Sequence, residues 1–323
     1  MDLPALLLGF LLPWKFSIAL HSRAILVSLF DLASPLLFAG ILLGKAGSWR
    51  HTRPALILPL LFTGLLATHL GGDSAVHAGA TIYALWAGMA LAALSREAIF
   101  SGLRSGLLLS AGLALPLWFF APRFVTDHHY FSAFAGSKNG LAFLAGLAAF
   151  SATNPARSAP GAMPWFMMLL ILLSGSRAGM LAMTAAVLVS LLRSTTPRRN
   201  ALLLACAVTG ATAWLLARTD LPADRWEFAS MIVQYAGTIP WNGIGPGSGY
   251  GLDLFFKSWL ETGPVGFIVL MALITRSLFL NGLTPALAFM LVFGIAHDPL
   301  RWPLFWMMIF AEEKSAIGRG AAS

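Results

Sequence analysis

Arg177 is the residue hardest to account for by packing alone. It stands in Ser-Gly-Ser-Arg-Ala-Gly, residues 174–179, the tightest turn of the chain, between two long apolar runs. A guanidinium in that setting is costly to bury without a partner, so it marks a functional position. A second concentration of chemistry lies in residues 218–264, RTDLPADRWEFASMIVQYAGTIPWNGIGPGSGYGLDLFFKSWLETGP. Arginines and acids alternate there, with Arg218, Asp220, Asp224, Arg225 and Glu227 within ten positions. A glycine-rich turn follows, then a short aromatic helix that stops at Gly263-Pro264. A connection this long is functional or disordered, and its aromatic content argues against disorder. Gly243, Gly245, Gly247, Gly249 and Gly251 allow two readings, a nest of backbone N–H groups for an anion or a plain backbone turn. Lys257 and Glu261 have the i,i+4 spacing of a pair on one helix. Phe255, Phe256 and Trp259 suit the bilayer interface.

Other chemistries are absent from the sequence. His21, His69, His77, His128, His129 and His297 show no spacing of a helix-borne ligand pair and no glutamate beside them, so no metal site is expected. No phosphate-binding loop of the nucleotide-hydrolysing kind is present. No Asp-x-Asp pair occurs in an outer loop, and the single cysteine, Cys206, lies in an apolar run. The reading therefore carries no cofactor and no nucleic-acid partner.

The elements that must position these residues are membrane helices. Of 323 residues 58% are hydrophobic and only 11% charged, with a mean hydropathy of +0.78; a soluble domain carries roughly 25% charged residues. Apolar runs at 3–20, 24–43, 55–71, 77–95, 105–121, 139–154, 160–175, 178–193, 200–217, 264–281, 283–297 and 301–312 approach the ~20 residues a span requires. Met1–Leu20 lacks a basic leader and flows into further apolar segments, so no cleavable signal is expected. Basic connections alternate with connections that are not. Lys45, Arg50, Arg53, Arg96, Arg104, Arg157, Arg193, Arg198, Arg199, Arg276, Lys314 and Arg319 fall on one side, twelve of the 21 Lys and Arg. The positive-inside rule makes that side cytoplasmic. The expected fold is an all-α integral membrane protein, 1–323 as a single polytopic domain, with about twelve transmembrane helices and both termini inside. The 218–263 loop then lies outside the cytoplasm, between helices 9 and 10. Lys15 and Asp31, at similar depth on adjacent helices, are expected to pair.

Three stretches in order carry a resemblance. They are FAGSKNGLAFLAGLAAF at 134–150, with Lys138 and Asn139 at the head of a helix, ILLSGSRAGMLAM around Arg177, and the loop itself. In the loop, Arg225-Trp-Glu227 precedes Ile-Pro-Trp-Asn-Gly-Ile-Gly-Pro-Gly at 239–247 and Glu261-Thr-Gly-Pro-Val-Gly266. Together they resemble the bacterial O-antigen ligase and polysaccharide polymerase superfamily, over roughly residues 130–270. The resemblance implies glycosyl transfer at the periplasmic face of the bacterial inner membrane. The donor would be a glycan on a polyprenyl diphosphate, and the acceptor a hydroxyl of lipid A core or of another lipid-linked glycan.

Arg177 and Arg225 match the family's functional arginines, and guanidinium forks suit a diphosphate leaving group; Asn139 and Lys138 join them as substrate-binding residues. Glu227 either orients Arg225 or acts as a base. Family ligases carry a His-Asn pair where this chain has Leu252-Asp253. Asp253 either caps the aromatic helix or replaces that base, and His297 with Asp298 is the other candidate. The missing histidine favours a polymerase over a ligase and leaves an inactive relative open. The rival class is a transporter or flippase of lipid-linked sugars, using the same arginines for binding.

Overall fold

A computed structural model of the chain describes residues 2–20, 23–35, 56–71, 74–127, 130–151, 162–193, 230, 234, 236–247 and 254–311. Helices dominate: α1 (Leu3–Leu11), α2 (Ile57–Ala67), α3 (Ala75–Ala92), α4 (Arg96–Phe120), α5 (Lys138–Phe150), α6 (Ala162–Leu173), α7 (Arg177–Leu192), α8 (Leu254–Asn281), α9 (Pro285–Ala296) and α10 (Pro303–Phe310). Among the described residues three are long and apolar enough to cross a membrane, α3, α4 and α8. Shorter apolar helices, α2, α5, α6, α7 and α9, accompany them. The apolar run at 200–217 lies outside the described residues.

The beginning of the chain departs from the all-α expectation. The run at 3–20 is helical only to Leu11; Lys15–Leu20 (β1) and Arg23–Ser28 (β2) pair as an antiparallel hairpin from Lys15↔Ser28 to Leu20↔Arg23. Residues 29–35 are helical again. Pro13 follows directly after the last turn, where a missing N–H ends a helix. An apolar run without a clear period fits a strand as well as a helix. A two-stranded hairpin has open edges, so it cannot cross hydrocarbon. A second, shorter hairpin pairs Thr126–Asp127 (β3) with Tyr130–Phe131 (β4).

Small residues let the helices approach closely, as membrane bundles require. On α1 and α4, Cβ atoms at Gly9 and Gly102 would collide with the backbone of Ile99 and Leu6. Elsewhere α9 packs against α7 and α5, and α10 against α3. The two ends of the bundle differ chemically. At one end the Arg104 guanidinium donates to the Ala148 carbonyl at 2.9 Å and to Ser151 Oγ at 3.1 Å. It thereby satisfies one carbonyl, that of Ala148, which the C-terminus of α5 leaves orphaned. The N-termini of α5 and α7 lie at the opposite ends of those helices, where the chemistry-bearing residues gather.

Candidate functional site

Two helix starts are built to one pattern. Residues 137–140 read Ser-Lys-Asn-Gly and residues 176–179 read Ser-Arg-Ala-Gly. In each, the serine is the N-cap and accepts a hydrogen bond from the glycine N–H, at 2.9 Å for Ser137 and 3.1 Å for Ser176. In each, the first helical residue is a cation, Lys138 on α5 and Arg177 on α7, and neither first turn holds an acid. That is the unfavourable sign for the positive end of a helix dipole. Such a placement costs stability at each helix start.

The two starts are tied together. Ser176 Oγ donates to Asn139 Oδ1 at 2.7 Å, so the cap of α7 is held by the first turn of α5. Gly179 brings α7 against Ala142 of α5, close enough that a Cβ would be crowded at 2.6 Å. Gly175, with φ +61°, takes the chain from α6 into α7, and the Tyr130 ring of β4 lies where its side chain would stand. The Lys138 ammonium sits 4.3 Å from the centroid of that ring. Asp127 on β3 accepts from the Lys138 N–H at 3.1 Å and so places a carboxylate at this end of α5. Lys138 and Asn139 therefore lie beside the start of α7, whose first residue, Arg177, is exposed.

His297 belongs to a neighbouring layer. It caps α9, its N–H donating to the Phe293 carbonyl at 2.9 Å, and its ring packs against Phe293 and Trp302. Trp302 meets Phe143 edge to face at 4.3 Å, one turn along α5 from Asn139 on the same helix face. The Lys15 ammonium lies 5.3 Å from the Trp302 centroid. Burial pulls that ammonium below its ordinary pKa, and the charge of Asp31 opposes the shift. The expected pair is not the contact that forms: the Asp31 carboxylate accepts from the Ser28 N–H and hydroxyl, each at 2.7 Å, and Lys15 lies on a strand rather than on an adjacent helix. His297 thus reaches the site's edge through an aromatic layer. Arg225, Glu227 and Asp253, like His128 and His129, lie outside the described residues.

Over its described residues, 243–247, the glycine loop is a turn rather than an open nest, while Gly249 and Gly251 lie outside the described residues. Helix α8 is broken at Gly263, whose φ of 70° and ψ of 179° are non-helical. The break orphans the last carbonyls of the aromatic segment, and the loop satisfies them. Ile244 N–H donates to the Leu260 carbonyl at 2.9 Å and Gly245 N–H to the Glu261 carbonyl at 3.1 Å. Gly247 N–H donates to Glu261 Oε1 at 2.6 Å, and Gly243 N–H closes its own turn onto Pro240 at 2.9 Å. Each of these four amides is already engaged by the protein. On the loop's other side, the Asn242 carbonyl meets the His69 ring at 2.8 Å and its side chain donates to Thr68 at 3.2 Å. His77 lies against Gly247.

Behind the break sits a charged cluster that sequence spacing only half revealed. Lys257 pairs with Glu261 as expected, at 3.7 Å, but its closer partner is Asp298 from the α9–α10 connection, at 2.7 Å. Lys257 is 8% and Glu261 3% exposed, far from the solvated pair of a surface helix. The aromatic segment is inside out: Leu254, Lys257, Ser258, Glu261 and Thr262 face inward, while Phe256 is exposed. That inversion suits a helix bathed in lipid rather than water.

Three helices long and apolar enough to cross a bilayer, together with the inverted burial of the aromatic segment of α8, mark a predominantly helical membrane protein. Compared with known proteins, the chain matches no family model and has no significant sequence match to a curated protein.

Proposed function

We propose that the protein transfers a glycan from a polyprenyl-diphosphate carrier to a sugar hydroxyl, as a polymerase or ligase of cell-envelope polysaccharide. The observation that carries this reading is the junction of two serine-capped helix starts, each headed by a cation and joined by the Ser176–Asn139 hydrogen bond. The glycosidic C–O bond to the diphosphate breaks, the diphosphate leaves with the bonding electrons, and the acceptor oxygen forms the new bond as it loses its proton. Negative charge therefore grows on the leaving group. Two helix dipoles, Lys138 and the permanently charged Arg177 favour that charge, and Asn139 keeps the two helix starts in register. Arg225 is proposed as the second guanidinium, with Glu227 orienting it; Asp253 and His297 are the proposed candidates for taking up the acceptor proton.

In the same proposal the chain lies in the bacterial inner membrane as a multi-pass protein, with both termini cytoplasmic and the 218–263 loop periplasmic. The reaction calls on lipid carrier, glycan acceptor and surrounding lipids as partners, without nucleotide or metal. The test is chain growth or transfer by purified protein supplied with lipid-diphosphate-linked repeat units. Removing one preorganised donor costs on the order of 10²–10³ in rate, so Arg177→Ala falls by that factor, and Arg177→Lys recovers only part because the planar fork is lost. A wild type that is active alongside an equally active Arg177→Ala refutes the site. A cysteine placed at Ser230, exposed here, reacts with an impermeant reagent from the periplasmic side; protection there overturns the orientation.

A further inference from the structure

The buried charges behind the helix break serve neither binding nor proton transfer in the scheme above, and their geometry gives them a separate task. Glu261 Oε1 holds the Gly247 N–H at 2.6 Å, while its backbone carbonyl holds the Gly245 N–H at 3.1 Å. One residue thus grips the loop twice. Lys257 lies 3.7 Å from that carboxylate and 2.7 Å from Asp298, and Asp298 Oδ1 in turn accepts from the Leu300 N–H at 2.9 Å. The aromatic helix thus joins the end of the outer loop, through Glu261, to the distant α9–α10 connection, through Lys257. Arg301, on that same connection, also acts electrostatically on Glu261.

The spacing Glu261-x-Gly263-x-x-Gly266 is explained position by position. Gly263 breaks the helix where the loop backbone crosses it. Gly266 leaves the room that the Thr262 side chain occupies, and Thr262 Oγ1 donates back to the Ser258 carbonyl at 2.6 Å. Glu261 then reaches the loop.

We infer that Glu261, steadied by Lys257 and Asp298, is a positioning residue: it latches the root of the outer loop onto the helix break and is not the group that deprotonates the acceptor. This inference rests on the proposed transfer for its catalytic consequence, since the latched loop is the one that carries Arg225. The latch itself is a statement about structure and is measurable without turnover. With Oε1 committed to Gly247 and the side chain facing a lysine, the carboxylate is placed to hold the chain. A glutamine in its place keeps the carbonyl oxygen that accepts from Gly247 and loses the ability to take a proton.

The test pairs amide hydrogen exchange with transfer assays on the full-length protein in lipid nanodiscs, using Glu261→Ala, Glu261→Gln and Asp298→Asn. In Glu261→Ala, exchange across 240–247 rises at least tenfold and kcat falls about 10²-fold, the scale of a small misplacement, while protection at Arg96–Phe120 is unchanged. Glu261→Gln stays within about threefold of wild type on both readouts, the rescue expected when a hydrogen-bond acceptor suffices. Asp298→Asn, which retains an acceptor for Leu300 but not the charge facing Lys257, is intermediate and stands in if Glu261→Ala fails to insert. If Glu261→Gln is as slow as Glu261→Ala with its loop still protected, the carboxylate works as an acid or base and the inference is overturned. Unchanged exchange at 240–247 in Glu261→Ala overturns it as well. A wild type without transferase activity removes the proposed function, and the exchange measurement still decides the latch.

Discussion

Gly263→Ala is the sharpest single perturbation of this architecture. The residue adopts φ 70° with ψ 179°, a region populated essentially by glycine, where another residue costs about 2 kcal/mol. Its Cβ would overlap the Trp241 carbonyl and crowd Gly243 N and the Pro240 carbonyl, all backbone atoms that cannot rotate away. Relief requires the loop to lift, which breaks the Ile244–Leu260 and Gly245–Glu261 hydrogen bonds at about 1 kcal/mol each. The sum is about 4 kcal/mol, and at about 1.4 kcal/mol per decade it corresponds to nearly three decades in the local opening equilibrium. Hydrogen exchange of residues 240–247 in nanodiscs measures this directly, with α4 as the internal reference. Gly64→Ala is the control, because a Cβ there meets nothing within 4 Å; it leaves the loop unchanged. A rise below tenfold at 240–247 in Gly263→Ala would mean that the break accepts a side chain, and the account of loop docking would be wrong.

Further outcomes follow from the helix starts and the charged cluster. Ser176→Ala removes both the cap of α7 and the bond to Asn139, about 2 kcal/mol in all, while Asn139→Ala leaves the cap and costs about 1 kcal/mol; thermal melts of the two and of the double variant show a non-additive pair. Gly175→Ala places a side chain at φ +61° against Tyr130. The added change Tyr130→Ala relieves the overlap but not the backbone cost of about 1–2 kcal/mol, so stability recovers in part; full recovery contradicts the left-handed turn. Lys257→Met leaves two buried carboxylates unpaired and destabilises by about 3–5 kcal/mol, whereas replacing the pair in Lys257→Met/Asp298→Leu is milder. Equal losses in the single and double variants would mean that Asp298 is not the principal partner.

What the sequence determined by itself is local. Apolar runs in a chain with 11% charged residues require a membrane helix bundle, because the bilayer accepts little else. Ser-x-x-Gly at 137 and 176 writes two capped helix starts, Gly263-Pro264 writes a break, and the spacing of Lys257 and Glu261 writes a pair; each needs only a few residues' chemistry. The runs at 3–20 and 24–43 were misleading for the same reason: hydropathy reports burial, and burial alone does not separate a strand from a helix.

What only the tertiary structure decided lies between segments. The Ser176–Asn139 bond spans 37 positions. Lys257 takes its nearer partner from another connection, and the glycine loop becomes a turn because carbonyls orphaned at Gly263 claim its amides. Spacing along the chain fixes which groups one helix can offer, whereas the packing of helix against helix determines which of those groups are left to meet.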